Sequence, residues 1–149
     1  MHRVETVQKV RAFNRFYMPA MNLLGNHYLG SEYSVTEARI FFEIYENEGC
    51  NAAHIAQIMN IDKSYLSRII IAHEKNGYLR RTPSSDDGRS YAIFLTDKGK
   101  KRAEELIHKS DDDIGKILQN LSEDEKTRLA DAFDTIIQLL GNGKGVDPQ

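Results

Sequence analysis

The chain has 149 residues, 40% hydrophobic and 28% charged, with a formal net charge of −2, enough apolar material for one domain, alone or with a dimerisation extension. No apolar run approaches the roughly 18 residues that span a bilayer, and MHRVETVQKVRAFNRF at the start lacks a secretory signal's apolar stretch, so a cytoplasmic protein without membrane contact is expected. The single cysteine, Cys50, excludes an internal disulfide framework and cannot make a zinc site alone.

The first apolar stripe has a helical period. Val4, Val7, Val10, Phe13, Phe16, Tyr17, Ala20, Leu24 and Tyr28 recur every three or four residues, which predicts a long amphipathic helix over 3–29. Pro19 should kink it, because proline removes a backbone donor and clashes with the preceding turn. A second helix opens at Ser34, where Ser34-Val35-Thr36-Glu37 has capping-box spacing. Ile40, Phe41, Ile44 and Tyr45 form its apolar face, and Gly49 is the expected stop. NAAHIAQIMN is a third, short helix with Asn51 at its N-cap. After an Asn60-Ile61 turn, Asp62 caps a fourth helix, KSYLSRIIIAHEKN, which Gly77 closes.

The period then changes. YLRRTP and SYAIFLT are short, rich in β-branched and aromatic residues, and bracket Ser-Ser-Asp-Asp-Gly-Arg, the pattern of a hairpin with a glycine-bearing turn. Thr96 caps a long helix with Ala103, Leu106, Ile107, Ile114, Ile117, Leu118 and Leu121 on its apolar side. Ser122-Glu123-Asp124-Glu125 repeats the capping-box spacing and opens a last helix carrying Leu129, Phe133, Ile136, Ile137 and Leu140. Residues 142–149 are read as a flexible tail.

Charge is unevenly spread. Between Asp62 and Arg102 stand ten basic residues against five acidic, whereas 103–149 is acidic. A basic module between acidic flanks suits a surface that meets a polyanion; chance clustering on a solvated face is the alternative. The third and fourth helices, with Ile55, Ala56, Ile61, Leu66 and Ile69 at packing positions, form a helix-turn-helix pattern. The hairpin after it makes the unit a winged helix. In the fourth helix Leu66, Ile69, Ile70 and His73 fall inward, whereas Lys63, Ser64, Ser67, Arg68 and Ile71 fall outward, with Tyr65 at the boundary. Short hydroxyl side chains and an arginine near a helix N-terminus suit the DNA major groove, where serine donates or accepts and arginine forks onto guanine O6 and N7. An ordinary solvated helix face is the bland alternative.

VTEAR at Val35–Arg39, AAHIAQIMNIDKSYLSRI, KNGYLRR and DDGRSYAIFLTDKGK together resemble the MarR family of winged-helix transcriptional regulators, over nearly the whole chain. VRAFNRFY and YLSRI are closer still to the regulator half of MarR proteins fused to an acetyltransferase. No acetyltransferase portion lies within the 149 residues, so no acetyl transfer is expected. The resemblance implies a mainly α fold with a small β-hairpin wing (α+β): a winged helix-turn-helix lobe at 34–96 between dimerisation helices at 3–29 and 97–141. It places Asp87 and Arg89 on the family's Asp-x-Arg wing motif, with the arginine in the minor groove and the aspartate orienting it. Arg80 and Arg81 begin the wing, one of them on backbone phosphate. The implied partner is double-stranded DNA, a pseudo-palindrome bound by a homodimer, with repression favoured over activation.

The family also senses small aromatic or lipophilic anions in a cleft between the dimerisation helices and the DNA-binding lobe. Phe16, Tyr17, His27, Tyr28, Tyr33 and Phe42 are the candidate lining of such an effector pocket, or else ordinary core at helical spacing. His73 stands where the family has a larger apolar residue and is read as structural rather than as a pH switch. Ile71 either meets a thymine methyl or faces the second subunit. Cys50 lies outside the first helix, where redox-sensing members carry their reactive cysteine, and is read as a plain thiol. Asp111-Asp112-Asp113 is read as a solvated helix face rather than a cation site. The scattered histidines, His2, His27, His54, His73 and His108, have no metal-ligand spacing, and no catalytic constellation or cofactor motif appears. A winged helix used for protein–protein contact, with the acidic helices as its active surface, is the alternative function.

Overall fold

The computed structural model describes residues 3–84 and 90–141. Along them run α1 (Arg3–Ala20), a 3-10 turn (Tyr28–Gly30), α2 (Val35–Glu46), α3 (Ala52–Met59), α4 (Lys63–Lys75), β1 (Leu79–Pro83), β2 (Tyr91–Leu95), α5 (Asp97–Leu118) and α6 (Glu123–Gly141). The fold is mainly helical with a two-stranded antiparallel hairpin. The chain divides into two compact units, Met1–Asp112 and Asp113–Gln149.

The core of the first unit lies between residues 33 and 106. Ser34 caps α2 reciprocally: its Oγ accepts from the Glu37 amide at 3.2 Å, and Glu37 Oε1 accepts from the Ser34 amide at 3.3 Å. That start turns Ile40, Phe41 and Ile44 inward, where all three are completely or almost completely buried. Ile55 from α3, Leu66, Ile69 and Ile70 from α4, Leu79, Ile93 and Leu95 from the hairpin, and Ala103 and Leu106 from α5 close around them. Each fully buried isoleucine or leucine contributes roughly 1.5–3 kcal/mol, so these side chains hold the lobe together.

α1 ends at Ala20, not near 29 as the stripe predicts. Pro19 denies the ladder one donor, and the helix stops just beyond it instead of kinking and continuing. Asn22 takes a left-handed backbone (φ +57°), and the Leu23 and Asn22 amides donate to the carbonyls of Met18 (2.8 Å) and Pro19 (3.1 Å). This is a Schellman closure with asparagine in the usual glycine place. Leu24 therefore lies beyond α1, and Tyr28 opens the 3-10 turn.

Gly49 also differs from its expected role as a helix stop. α2 is already capped at Asn47. Gly49 (φ +86°) donates to the Ile93 carbonyl, and Ile93 donates to the Cys50 carbonyl, each at 2.8 Å. Glycine in a left-handed backbone with two residues opposing one is a β-bulge, and it ties the hairpin to the end of α2.

In the second unit Ser122 and Glu125 form the expected capping box, at 3.1 Å and 2.9 Å. The 19 residues of α6 include no buried one.

Candidate nucleic-acid interface

α3 and α4 are joined by three residues, each with a distinct task. Asn60 takes a left-handed backbone (φ 52°) and closes α3, with the Ile61 amide donating to the Ala56 carbonyl at 3.1 Å. Asp62 then accepts from the Tyr65 amide at 3.0 Å and starts α4. Asn51 caps the other end of α3 by accepting from the His54 amide at 2.8 Å. Ile55 and Leu66, both fully buried, pack beneath the turn. The helix-turn-helix geometry thus follows from three local caps and two apolar contacts.

The faces of α4 divide as its sequence predicts. Leu66, Ile69, Ile70 and His73 are buried, and Lys63, Ser64 and Arg68 are exposed. Tyr65 is 37% exposed and Ile71 52%, while Ser67 is half-buried. Neither Lys63 nor Arg68 has an ion-pair partner among the described residues. The first two turns of α4 therefore carry two exposed cations without an ion-pair partner among the described residues, together with exposed Ser64 and half-buried Ser67.

β1 and β2 pair with Leu79 opposite Leu95, Arg81 opposite Ile93 and Pro83 opposite Tyr91. Strand alternation sends neighbouring arginines to opposite faces. Arg80 is exposed, its guanidinium lying over the Phe94 ring at 4.6 Å. Arg81 is half-buried on the face shared with Ile93. Its Nε and Nη2 donate to Glu74 Oε1 of α4, at 3.2 Å and 2.8 Å, and its guanidinium lies over the Tyr91 ring at 5.0 Å. The hydrogen bond from Arg81 holds the Glu74 carboxyl below its usual range and raises the guanidinium correspondingly. Lys63, Ser67, Arg81, Ser84 and Ser90 line a polar cavity of about 600 Å³ bounded by α3, α4 and the hairpin. Asp87 and Arg89, expected at the wing tip, lie outside the described residues.

The C-terminal end of α4 is joined to the start of α5. Gly77 (φ +83°) closes α4 as expected, leaving the carbonyls of residues 76–78 facing α5. Lys98 Nζ donates to Asn76 (2.9 Å), Thr96 Oγ1 to Gly77 (2.6 Å) and the Thr96 amide to Tyr78 (3.0 Å). Thr96 also caps α5 by accepting from the Gly99 amide at 3.1 Å. A Cβ on Gly99 would stand 1.9 Å from the Tyr78 carbonyl oxygen, so the junction requires glycine there. Sequence reasoning marked the turn but not this contact, because only the packing of α5 on residues 76–78 creates it.

A second, mostly apolar cavity of about 290 Å³ lies between α2 and α5, lined by Tyr28, Val35, Phe41, Phe42, Leu106 and Ile107, with Arg39 and Asp111 as its charged lining. Of the six candidate effector residues, Tyr28 and Phe42 line it and the other four do not. Phe16 is exposed on α1, and Tyr17 stacks on Phe13 there with centroids 4.9 Å apart. His27 Nδ1 donates to the Ser31 carbonyl at 3.2 Å. Tyr33 turns into the core against Phe41 and His73. Sequence reasoning missed Arg39, which pairs with the buried Glu43 four residues on; its spacing on a helix was the available signal.

His73 is 4% exposed, packed against Phe41, Tyr33 and Tyr78, and its Nε2 has no hydrogen-bond partner among the described residues. Burial lowers its pKa. Cys50 is a half-buried thiol that burial pushes up to about 11. Among the described residues no group of three or more His, Cys, Asp or Glu could hold a metal ion, and no helix is long and apolar enough to cross a membrane.

Comparisons with known proteins bear on the family and the fold. A family model described as "MarR family" matches residues 33–91. The HTH-type transcriptional regulator BilQ of Clostridium symbiosum (strain WAL-14163) is 32% identical over 110 residues, covering 70% of this chain and 72% of that protein. A mutant MarR from E. coli complexed with operator DNA has a similar structure: TM-score 0.72, 19% identity, 89% of this chain and 96% of that one. FabT of Streptococcus pneumoniae in complex with DNA gives TM-score 0.68 at 18% identity, covering 94% and 96%. At these identities the structural likeness speaks for the winged-helix fold.

Proposed function

This chain belongs to the MarR family of transcriptional regulators and is not an enzyme, and we propose that it is a cytoplasmic repressor that binds a pseudo-palindromic DNA operator as a homodimer. The observation that carries this is the outward face of α4: Lys63, Ser64, Tyr65 and Arg68 are exposed at its N-terminal turns, beside the hairpin and the exposed Arg80. α4 enters the major groove, where Ser64, Ser67 and Arg68 meet base edges and Lys63 and Tyr65 meet the backbone. Arg80 takes a phosphate. Arg89 enters the minor groove, whose negative potential in A·T-rich sequence attracts arginine, and Asp87 orients it. Two copies on a twofold axis read half-sites about one helical turn apart. The apolar faces of 3–20 and 97–141 join the copies.

The effector is a small aromatic or lipophilic anion, held in the cavity between α2 and α5. The cavity, about 290 Å³, is just below the roughly 300–1,000 Å³ usual for small-molecule sites; Tyr28, Phe41 and Phe42 supply ring contacts, and the charged lining is Arg39, already paired with Glu43, and Asp111. The effector changes operator affinity only by its differential affinity for two arrangements of the protein. Unchanged operator affinity across a panel of saturating aromatic carboxylates would remove these ligands from the account.

Selection of bound fragments from sheared genomic DNA tests the central reading. A shared inverted repeat is expected, with affinity that falls steeply with salt. Weak binding to fragments without a common sequence would instead favour a winged helix used for protein contact. On the selected operator, Arg89→Ala is expected to cost about 1–3 kcal/mol of binding, the range for a specific base contact. Unchanged affinity would remove the wing from the interface.

A further inference from the structure

Arg80 and Arg81 are adjacent in sequence and differ in surroundings. Arg80 is exposed and has no acidic partner among the described residues. Arg81 gives two donors to Glu74 of α4 and covers the ring of Tyr91 on β2. Two of its five N–H donors converge on one oxygen of that carboxylate, so a phosphate reaching Arg81 would meet a charge already neutralised by Glu74.

The position of this group along the hairpin matters. The base of the hairpin is fixed by buried Leu79, Ile93 and Leu95 and by the backbone bonds of Gly49 and Cys50 to Ile93. Tyr91 opposes Pro83 in the outermost described strand pair. A two-stranded ribbon is marginal by itself, and at the level of Ile93 the pairing of Arg81 with Glu74 is, among the described residues, the ion pair that ties it to α4. Glu74 lies in the last turn of α4, so one contact joins the candidate recognition helix to the wing.

We propose that Glu74, Arg81 and Tyr91 form a clamp that sets the angle of the wing against α4, with Arg81 a positioning residue for DNA binding rather than a phosphate contact. The proposal rests on the DNA-binding reading of α4 and the hairpin. It explains why an acidic residue stands on a face that otherwise favours cations.

The sign of one substitution tests it. Glu74→Gln removes a negative charge beside the candidate DNA surface, so electrostatics alone would tighten operator binding. The clamp predicts weaker binding, by about two- to fivefold, the range a partly exposed ion pair supports. Arg81→Lys keeps the charge but loses the fork and is expected to weaken binding similarly. Arg81→Met should leave the salt slope unchanged, whereas loss of a phosphate contact would reduce it by about 0.9. Tyr91→Phe keeps the ring and should bind like wild type, and Tyr91→Ala should not. Thermal unfolding of each variant separates a tilted wing from a melted lobe. Unchanged or tighter binding by Glu74→Gln, or a reduced slope for Arg81→Met, would overturn the clamp. Wild-type protein that binds no duplex with steep salt dependence would instead fail the DNA reading itself.

Discussion

α2 and α6 are both amphipathic in sequence, and only α2 is buried. The twelve residues of α2 place Ala38, Ile40, Phe41, Glu43 and Ile44 in the core. The nineteen of α6 bury none, and Leu139 and Leu140 are 69% and 65% exposed. α1 behaves like α6, with Val4 and Phe16 each 70% exposed. An apolar stripe says that a helix needs a cover without saying which cover. In α2 the cover is α3, α4, the hairpin and α5. For α1 and α6 the proposed cover is a second copy of the chain, since isolated amphipathic helices draw most of their stability from packing.

The largest contrast should come from matched leucines. Leu66→Ala, at a fully buried position, is expected to cost about 2–5 kcal/mol in denaturant unfolding. Leu139→Ala should cost a small fraction of that within one chain. Equal costs would mean that α6 is as tightly packed as the lobe. Next comes Gly99→Ala, which drives a methyl into the Tyr78 carbonyl and should cost about 3 kcal/mol. An unperturbed Tm would show that α5 slides off the α4 junction freely.

The flanking helices should respond differently to charge. Val10→Lys and Ile137→Lys each place an ammonium on an exposed apolar face. Each is expected to raise the dimer dissociation constant at least about tenfold, as loss of an interface anchor does, while the lobe stays folded. Sedimentation equilibrium across protein concentrations reads this directly, and an unchanged constant would move the interface elsewhere.

Much of the lobe is readable in its sequence because its signals are local. Ser34, Asn51, Asp62 and Ser122 all cap where their spacing predicts, since an N-cap needs only the next three residues. The inward and outward faces of α4 follow from its period. The end of α1 does not, because the apolar stripe runs on through Leu24 and Tyr28 after the chain has turned at Asn22. The cavity lining was half-hidden for a similar reason. Which aromatics face a cleft depends on how α2 and α5 pack, and Tyr33 is spent on the core. Glu74 escaped notice because its partner sits across a helix–strand turn, beyond any helical spacing.

The smallest effect expected is a pH dependence confined to the lobe. Burial holds the pKa of His73 below its ordinary value of 6.5, so the unfolded chain takes up the proton more readily than the native one. Stability is then full above about 6.5 and falls as the pH drops through that value, levelling off below the native pKa. Glu37 is the charged group that opposes the shift. His73→Leu should flatten this part of the stability profile between pH 7 and 5.5; an unflattened profile would assign the dependence to other groups.

The most direct test of the whole account is the stoichiometry of binding to a single selected inverted repeat, followed by sedimentation of the complex. The account predicts two 17.0 kDa chains per duplex, and loss of the complex when one half-site is scrambled. One chain per duplex, or equal binding to the scrambled sequence, would contradict it.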